Sequence, residues 1–249
     1  MNRIISICNH KGGVGKTTSV LNIGAGLNEL NKKTLMIDMD PQANLSQSVG
    51  VDNEVRNTYQ ILKAKQKPSP IKIKNKLHII PATQDLSNAE NELLNQPGRE
   101  FILREALISI QEKYDFIIID SPPSLGLLTL NALTSSKEVF IPLQTQYLAI
   151  HGLTRLTETI ELVKQRLNPH LILNGIILTQ YDKRKVLNRE IDDTIRKEFG
   201  DKVFNTIIRE NIALAEAPLE QSDIFTYAGK SHGALDYMNL TNEIITQKF

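Results

Sequence analysis

The sequence predicts an α/β fold, a doubly wound and mostly parallel sheet flanked by helices, and three observations predict it. Short β-branched runs recur along the chain, several of them show no alternation of apolar and polar residues, and longer segments with a helical stripe lie between them. A strand with one wet face alternates, whereas a strand covered by helices on both faces reads as a continuous apolar run, as FIII does before Asp120. The 249 residues can bury a full core, and no linker or internal repeat divides them, so a single domain over 1–249 is expected.

The first strand is expected at 4–8, ending on Cys8, a core residue. Val20, Ile23, Leu27 and Leu30 then keep the stripe of a first helix, and a second strand follows at 34–38. Residues 63–76 hold six lysines and two prolines with no acid, which reads as a solvated loop leading to an edge strand. Further strands are expected at 77–81, 116–120 and 139–143. Leu153, Leu156, Ile160, Val163 and Leu167 mark the next helix, 172–178 a last strand, and Leu187, Ile191, Ile195 and Phe199 a helix after it. Tyr237, Leu240 and Ile244 close the core as the final helix.

Composition narrows the function classes. Hydrophobic residues make up 41% and charged ones 23%, ordinary values for a soluble globular protein. A net charge of +1 gives no global pull toward nucleic acid, so any such contact needs a local basic patch. One cysteine supports neither an intrachain disulfide framework nor a multi-cysteine metal site, which fits a reducing cytoplasm. No run approaches the ~18 apolar residues of a membrane span, and the opening apolar run is too brief for a signal peptide. The scattered His78, His151, His170 and His232 form no ligand spacing.

The chemistry concentrates after the first strand. Lys11, Gly12, Gly13, Val14, Gly15, Lys16, Thr17 and Thr18 lie between that strand and the first helical stripe, the context a phosphate loop requires. Glycines let successive N–H groups face one concavity, and the helix N-terminus adds its partial positive charge, so triphosphate oxygens fit there. Lys16 can reach the β- and γ-phosphates, the Thr17 hydroxyl can ligate Mg²⁺, and Thr18 can donate to the α-phosphate. Asp38 and Asp40 emerge at the carboxyl end of the second strand, the ligand side of an open α/β sheet, and two acids there are costly without a cation. Four apolar residues deliver Asp120 in the same way, ahead of Ser121, Pro122 and Pro123.

With Lys11 ahead of it, GGVGKT resembles the deviant Walker A signature KGGxGKT of the ParA/MinD ATPases, a P-loop NTPase class. Residues 38–44, 120–125, 172–182 and 202–218 extend the resemblance over nearly the whole chain, toward its chromosome- and plasmid-partitioning branch. The resemblance implies an ATPase with ATP and Mg²⁺. Lys11 would reach a partner protomer's nucleotide, Asp40 would position the attacking water, and Thr17, Asp38 and Asp120 would form the metal site. Residues 121–125 would sense the γ-phosphate. The segment holding Ile208, Arg209 and Asn211 would cup the adenine, with Arg209 and Asn211 as base-binding residues. Where the family commonly reads P-R-N-x-R-L, this chain has Arg209, Glu210, Asn211, Ile212, Ala213 and Leu214, losing a proline and two arginines.

Around the last helical stripe, basic residues interleave with acids, and Arg189, Arg196 and Lys197 are the candidate DNA contacts. The leading expectation is therefore a cytoplasmic, nucleoid-associated switch that dimerises with ATP, binds non-specific double-stranded DNA and is stimulated by a ParB-type partner. Two alternatives are a MinD-like positioner at a membrane and an ATP-dependent metabolic enzyme on the same fold. The first needs a basic amphipathic tail, whereas LTNEIITQKF has one lysine and one glutamate.

Overall fold

A computed structural model describes residues 2–51, 56–146 and 149–247. Its strands are β1 (Arg3–Ile7), β2 (Thr34–Asp38), β3 (Ile71–Lys72), β4 (Leu77–Ile80), β5 (Phe116–Asp120), β6 (Glu138–Gln144) and β7 (Ile172–Thr179). The helices are α1 (Lys16–Glu29), α2 (Asn44–Gln47), α3 (Thr58–Ala64), α4 (Ala89–Glu92), α5 (Ile102–Leu107), α6 (Leu127–Ser135), α7 (Ala149–Arg166), α8 (Val186–Phe199), α9 (Ala213–Glu216), α10 (Ile224–Ala228) and α11 (His232–Thr246).

The strands form one sheet in the order β3-β4-β2-β5-β1-β6-β7, and all neighbours run parallel except the antiparallel β3 on β4. Successive side chains point to opposite faces of a strand, and in β5 the residues of each face are buried by different partners. Ile117 and Ile119 join a core under α3, α5 and α6, while Phe116 and Ile118 join one under α1 and α11. A third core lies under α7 and α8 against β6 and β7. The fold is thus the doubly wound sheet the apolar runs predict. The lysine segment 63–76 contains the end of α3 and the two-residue edge strand β3, whose pairing sets Ile71 against Ile79.

One expected core position is corrected. Leu187 lies in the first turn of α8 and is 47% exposed, because that turn overhangs the end of the sheet while Ile191 and Ile195 reach the core. In α11, Tyr237, Leu240 and Ile244 are buried against α1 and the sheet, as the last helix was expected to be. Its last two sequence neighbours, Lys248 and Phe249, lie outside the described residues. Among the described residues no helix is long and apolar enough to cross a membrane.

All the central strands share one direction, so their carboxyl ends collect at one end of the sheet. The chain leaves β1 toward α1 on one face and β5 toward α6 on the other. A crevice opens where such departures diverge.

Candidate functional site

The phosphate loop occupies that crevice. Gly13 and Gly15 adopt positive φ of 73° and 87°, a left-handed conformation that side-chain-bearing residues rarely hold, and they curl the loop into α1. Gly15 is the N-cap of α1, with no side-chain cap and no acid in the first turn, so the helix N-terminus offers its N–H groups and partial positive charge outward. Two contacts from the last residue of β7 and the one after it hold the loop's shape: Thr179 Oγ1 donates to the Val14 carbonyl at 2.8 Å, and Gln180 Nε2 donates to the Gly13 carbonyl at 2.8 Å.

Lys16 begins α1, is 7% exposed, and donates from Nζ to the Lys11 carbonyl at 3.0 Å. Burial pulls its ammonium below the ordinary lysine range, opposed by the negative charges of Asp120 and Asp40. Lys11 is exposed at the rim, where its ammonium donates to Gln146 Oε1.

Three carboxylates gather at two strand ends, and two of them, Asp120 and Asp40, act on this cation. Parallel register sets Asp38 on β2 beside Asp120 on β5, and Asp40 follows two residues on. Thr17 Oγ1 donates to Asp120 Oδ2 at 2.7 Å, which ties the phosphate loop to the end of β5. Asp120 Oδ1 is buried without a hydrogen-bond partner. A buried acceptor is costly to leave unmade, and a hydroxyl and a carboxylate oxygen are the hard donors Mg²⁺ takes, so the residues present fit that ion. Burial, and next the charge of Asp38, push the Asp120 carboxyl well above the usual range.

Asp38 lies behind this pair rather than in the opening. Its Oδ1 accepts from the Asp40 N–H at 3.1 Å, and its Oδ2 accepts from the Ser46 N–H at 2.9 Å and the Ser46 hydroxyl at 2.7 Å. Burial raises its pKa from the ordinary 3.8 to about 6 in spite of those bonds. Asp40 is 7% exposed and lines the opening with Lys16 and Thr17, its Oδ1 accepting from the Gln42 N–H at 3.0 Å. Cys8, beneath the loop, donates to Ser121 Oγ at 3.5 Å, and burial pushes its thiol up to about 11, which keeps it an inert core residue.

Two cavities open here. One of about 570 Å³ is lined by Gly12, Gly13, Lys16, Thr17 and Asp40, and one of about 440 Å³ by Ile208, Arg209, Asn211 and Tyr237. Gly15, Thr18, Gln180, Leu214 and Ala215 line both, so the two cavities adjoin along the phosphate loop and α9. The Arg209 guanidinium is bound to Asp236, with Nη2 at 2.6 Å from Oδ1 and Nε at 2.9 Å from Oδ2. Asn211 Oδ1 accepts from the Ala213 N–H at 2.9 Å, shaping the turn that walls the second cavity.

The sheet does not bring the α8 cations to this opening as a free patch. Arg196 is ion-paired with Asp192 at 2.7 Å, Arg184 with Asp182 at 2.9 Å, and Lys185 lies 3.5 Å from Glu210. Arg189 and Lys197 are exposed, and among the described residues Arg189 donates only to the Lys183 carbonyl, at 3.3 Å. Thr179 and Gln180 were not among the expected site residues. Their signal is the end of β7, which reaches the same end of the sheet as Asp38 and Asp120.

A protein-family model described as AAA domain matches residues 2–173. The chromosome partitioning protein ParA of Myxococcus xanthus is 45% identical over 250 residues, covering 98% of this chain and 88% of that protein. The chromosome-partitioning ATPase Soj of Treponema pallidum is 43% identical over 250 residues, covering 99% and 98%. Among solved structures, a cobyrinic acid a,c-diamide synthase from Mycobacterium smegmatis with bound ADP and magnesium superposes with a TM-score of 0.86 at 34% identity, covering 98% of this chain and 94% of that one.

Proposed function

Because the chain belongs to the ParA/Soj family of chromosome-partitioning ATPases, we propose that it is an ATP-gated dimerising switch for DNA segregation. It is an ATPase that uses ATP and Mg²⁺. In the ATP state it binds non-specific duplex DNA, which associates it with the nucleoid, and a ParB-type partner stimulates hydrolysis.

The chain's residues divide the work. The N–H groups of 12–18 hold the triphosphate, and Lys16 neutralises the β- and γ-phosphates from its buried position. Thr17 and Asp120 would hold Mg²⁺, which when bound draws charge from the phosphate oxygens, while Asp38 acts on the metal site from behind through its charge on Asp120. Asp40 orients the attacking water. The adenine lies in the cavity walled by Arg209 and Asn211, Arg209 acting as a braced wall because its guanidinium is spent on Asp236.

The observation that carries the dimer is the surface around this opening. Leu125, Val186, Leu187, Ile212 and Leu219 are 43%, 57%, 47%, 76% and 81% exposed, and they come from the elements that border the nucleotide cleft and its side cavities. Large apolar side chains grouped in water mark an interaction surface. A second protomer set against it would bring its own Lys11, exposed at the same rim, toward the nucleotide and supply a cation in trans.

Pairing also doubles the charge of Arg189 and Lys197. The experiment is salt-dependent binding to non-specific duplex DNA with ATP, with ADP and without nucleotide, with Lys16→Ala as the ATP-blind control. Binding confined to ATP, with an affinity that falls by a log–log slope of about −0.9 per phosphate neutralised, is expected. Binding that ignores nucleotide, or none, would overturn the DNA arm of the proposal. The 34% identity to the diamide synthase favours a second reading, an ATP-dependent enzyme acting on a small carboxylic acid; ATP turnover that requires such an acceptor and no DNA would select it.

A further inference from the structure

We propose that the cavity at the opposite end of the sheet from the phosphate loop binds a small amphiphilic anion, a carboxylate carried on an acyl or aryl body. The cavity is about 640 Å³ and shares no lining residue with the two cavities of the nucleotide cleft. That volume falls within the range that holds a drug-sized ligand. Its floor is the start of β1 and β6, and its walls come from the end of α5, the turn before β6 and the start of β7.

The walls are apolar and partly wet. Ile4 and Leu107 are buried, whereas Ile108 is 64% exposed and Ile172 36% exposed, so apolar surface is left facing water where a ligand's body would cover it. The floor is polar and already satisfied. Arg3 donates to both oxygens of Glu138, at 2.9 and 2.7 Å, and Asn174 Nδ2 donates to Glu138 Oε2 at 2.7 Å. Glu138 therefore presents no unpaired negative charge to an incoming anion.

The rim is cationic. Arg104 and Lys137 are exposed, neither has a carboxylate partner among the described residues, and Lys137 Nζ reaches only Asn2 O at 3.2 Å and Asn2 Oδ1 at 3.3 Å. Arg3, Arg104 and Lys137 against Glu138 leave a formal charge of +2 around the cavity, before any contribution from His170. A neutral apolar molecule would leave Arg104 and Lys137 unanswered, and a small hydrophilic anion would leave Ile108 and Ile172 in water. A molecule with one anionic head and an apolar body answers both, since charge-assisted bonds fix the head and apolar contact supplies area.

From Arg3 to Ile7, β1 rises about 13 Å, so this ligand and ATP occupy opposite ends of one strand and do not compete. The test titrates sodium decanoate into the full-length protein by calorimetry, with decan-1-ol and decylamine as comparison ligands and with or without an ATP analogue and Mg²⁺. Saturable one-to-one decanoate binding is expected, with a Kd on the order of 0.1–1 mM. It should be unchanged by the nucleotide and at least about tenfold weaker for decylamine, a step of roughly 1.4 kcal/mol. The double variant Arg104→Glu/Lys137→Glu should lose decanoate binding at least tenfold while keeping ATP affinity, which also certifies its fold. The wall variant Ile108→Glu should weaken decanoate likewise. No saturable binding, equal binding of all three head groups, competition with the nucleotide, or undiminished binding by the variants would each overturn the proposal.

Discussion

Replacing Asp120 by Asn in the nucleotide-free, magnesium-free protein should make it more stable and useless for Mg²⁺-dependent ATP binding. Asp38, Asp40 and Asp120 are 0%, 7% and 1% exposed, and the buried ammonium of Lys16 answers only Asp120 and Asp40. The size of the cost is visible at Asp38, whose pKa is raised from 3.8 to about 6. Roughly two units at about 1.4 kcal/mol each correspond to about 3 kcal/mol of lost stability once the carboxyl is charged. Asp120 is raised in the same direction, by burial first and by Asp38 second. For a raised carboxyl the folded state prefers the protonated form. Its stabilisation is complete below the unfolded pKa and is lost as pH rises through the folded value.

Asn keeps an acceptor for the Thr17 hydroxyl and removes one of the three charges, and with it the repulsion between Asp120 and Asp38. At pH 7.5 the variant should gain a few kcal/mol, and at 2–4 °C per kcal/mol for a chain of this size its Tm should rise by roughly 5–10 °C. Scanning calorimetry from pH 7.5 down to 4.5 checks it: the gap to the parent protein should shrink on acidification, because the parent's own carboxyls then become neutral. ATP with Mg²⁺ should raise the parent's Tm and leave the variant's unmoved. A variant that melts at or below the parent at pH 7.5, or a gap that ignores pH, would refute the reasoning.

Asp40→Ala should bind ATP with near-parental affinity by calorimetry, release phosphate at least about tenfold more slowly and accumulate as a dimer on light scattering; parental turnover would clear Asp40 of orienting water. Gly26→Val should cost about 2–3 kcal/mol in urea melts, since a Cβ there stands 2.5 Å from Thr241 Oγ1 and 3.2 Å from Thr241 Cβ, wedging α11 away from α1. An unchanged midpoint would mean that Thr241 swings aside.

How far the sequence could be read depended on whether a signal is local or created by topology. The phosphate loop is eight consecutive residues between a strand and a helix, and Asp38 and Asp120 each end an apolar run, so position along the chain already names the end of the sheet they reach. Strands β1, β2 and β5 were legible to within a residue or so for the same reason: burial on both faces writes a nearly continuous apolar run, broken in β1 only by Ser6. Strand β3 was not, because two residues beside four exposed or half-buried lysines carry no period, and only the pairing of Ile71 with Ile79 makes a strand of them. Thr179 and Gln180 were missed because their partners, Val14 and Gly13, lie at separations of 165 and 167 residues.

The α8 cations fail in the opposite direction. Arg196 reads from sequence as a free charge on a helix face, yet its guanidinium meets Asp192 one turn back and the Phe204 carbonyl of the following segment. An ion pair of that kind is neutral at a distance and contributes little to holding a phosphate. On this helix the proposed DNA affinity is therefore left to Arg189 and Lys197, which have no carboxylate partner among the described residues. Two protomers side by side would present twice that charge, which is why the proposed DNA affinity is expected to rise when the chains pair.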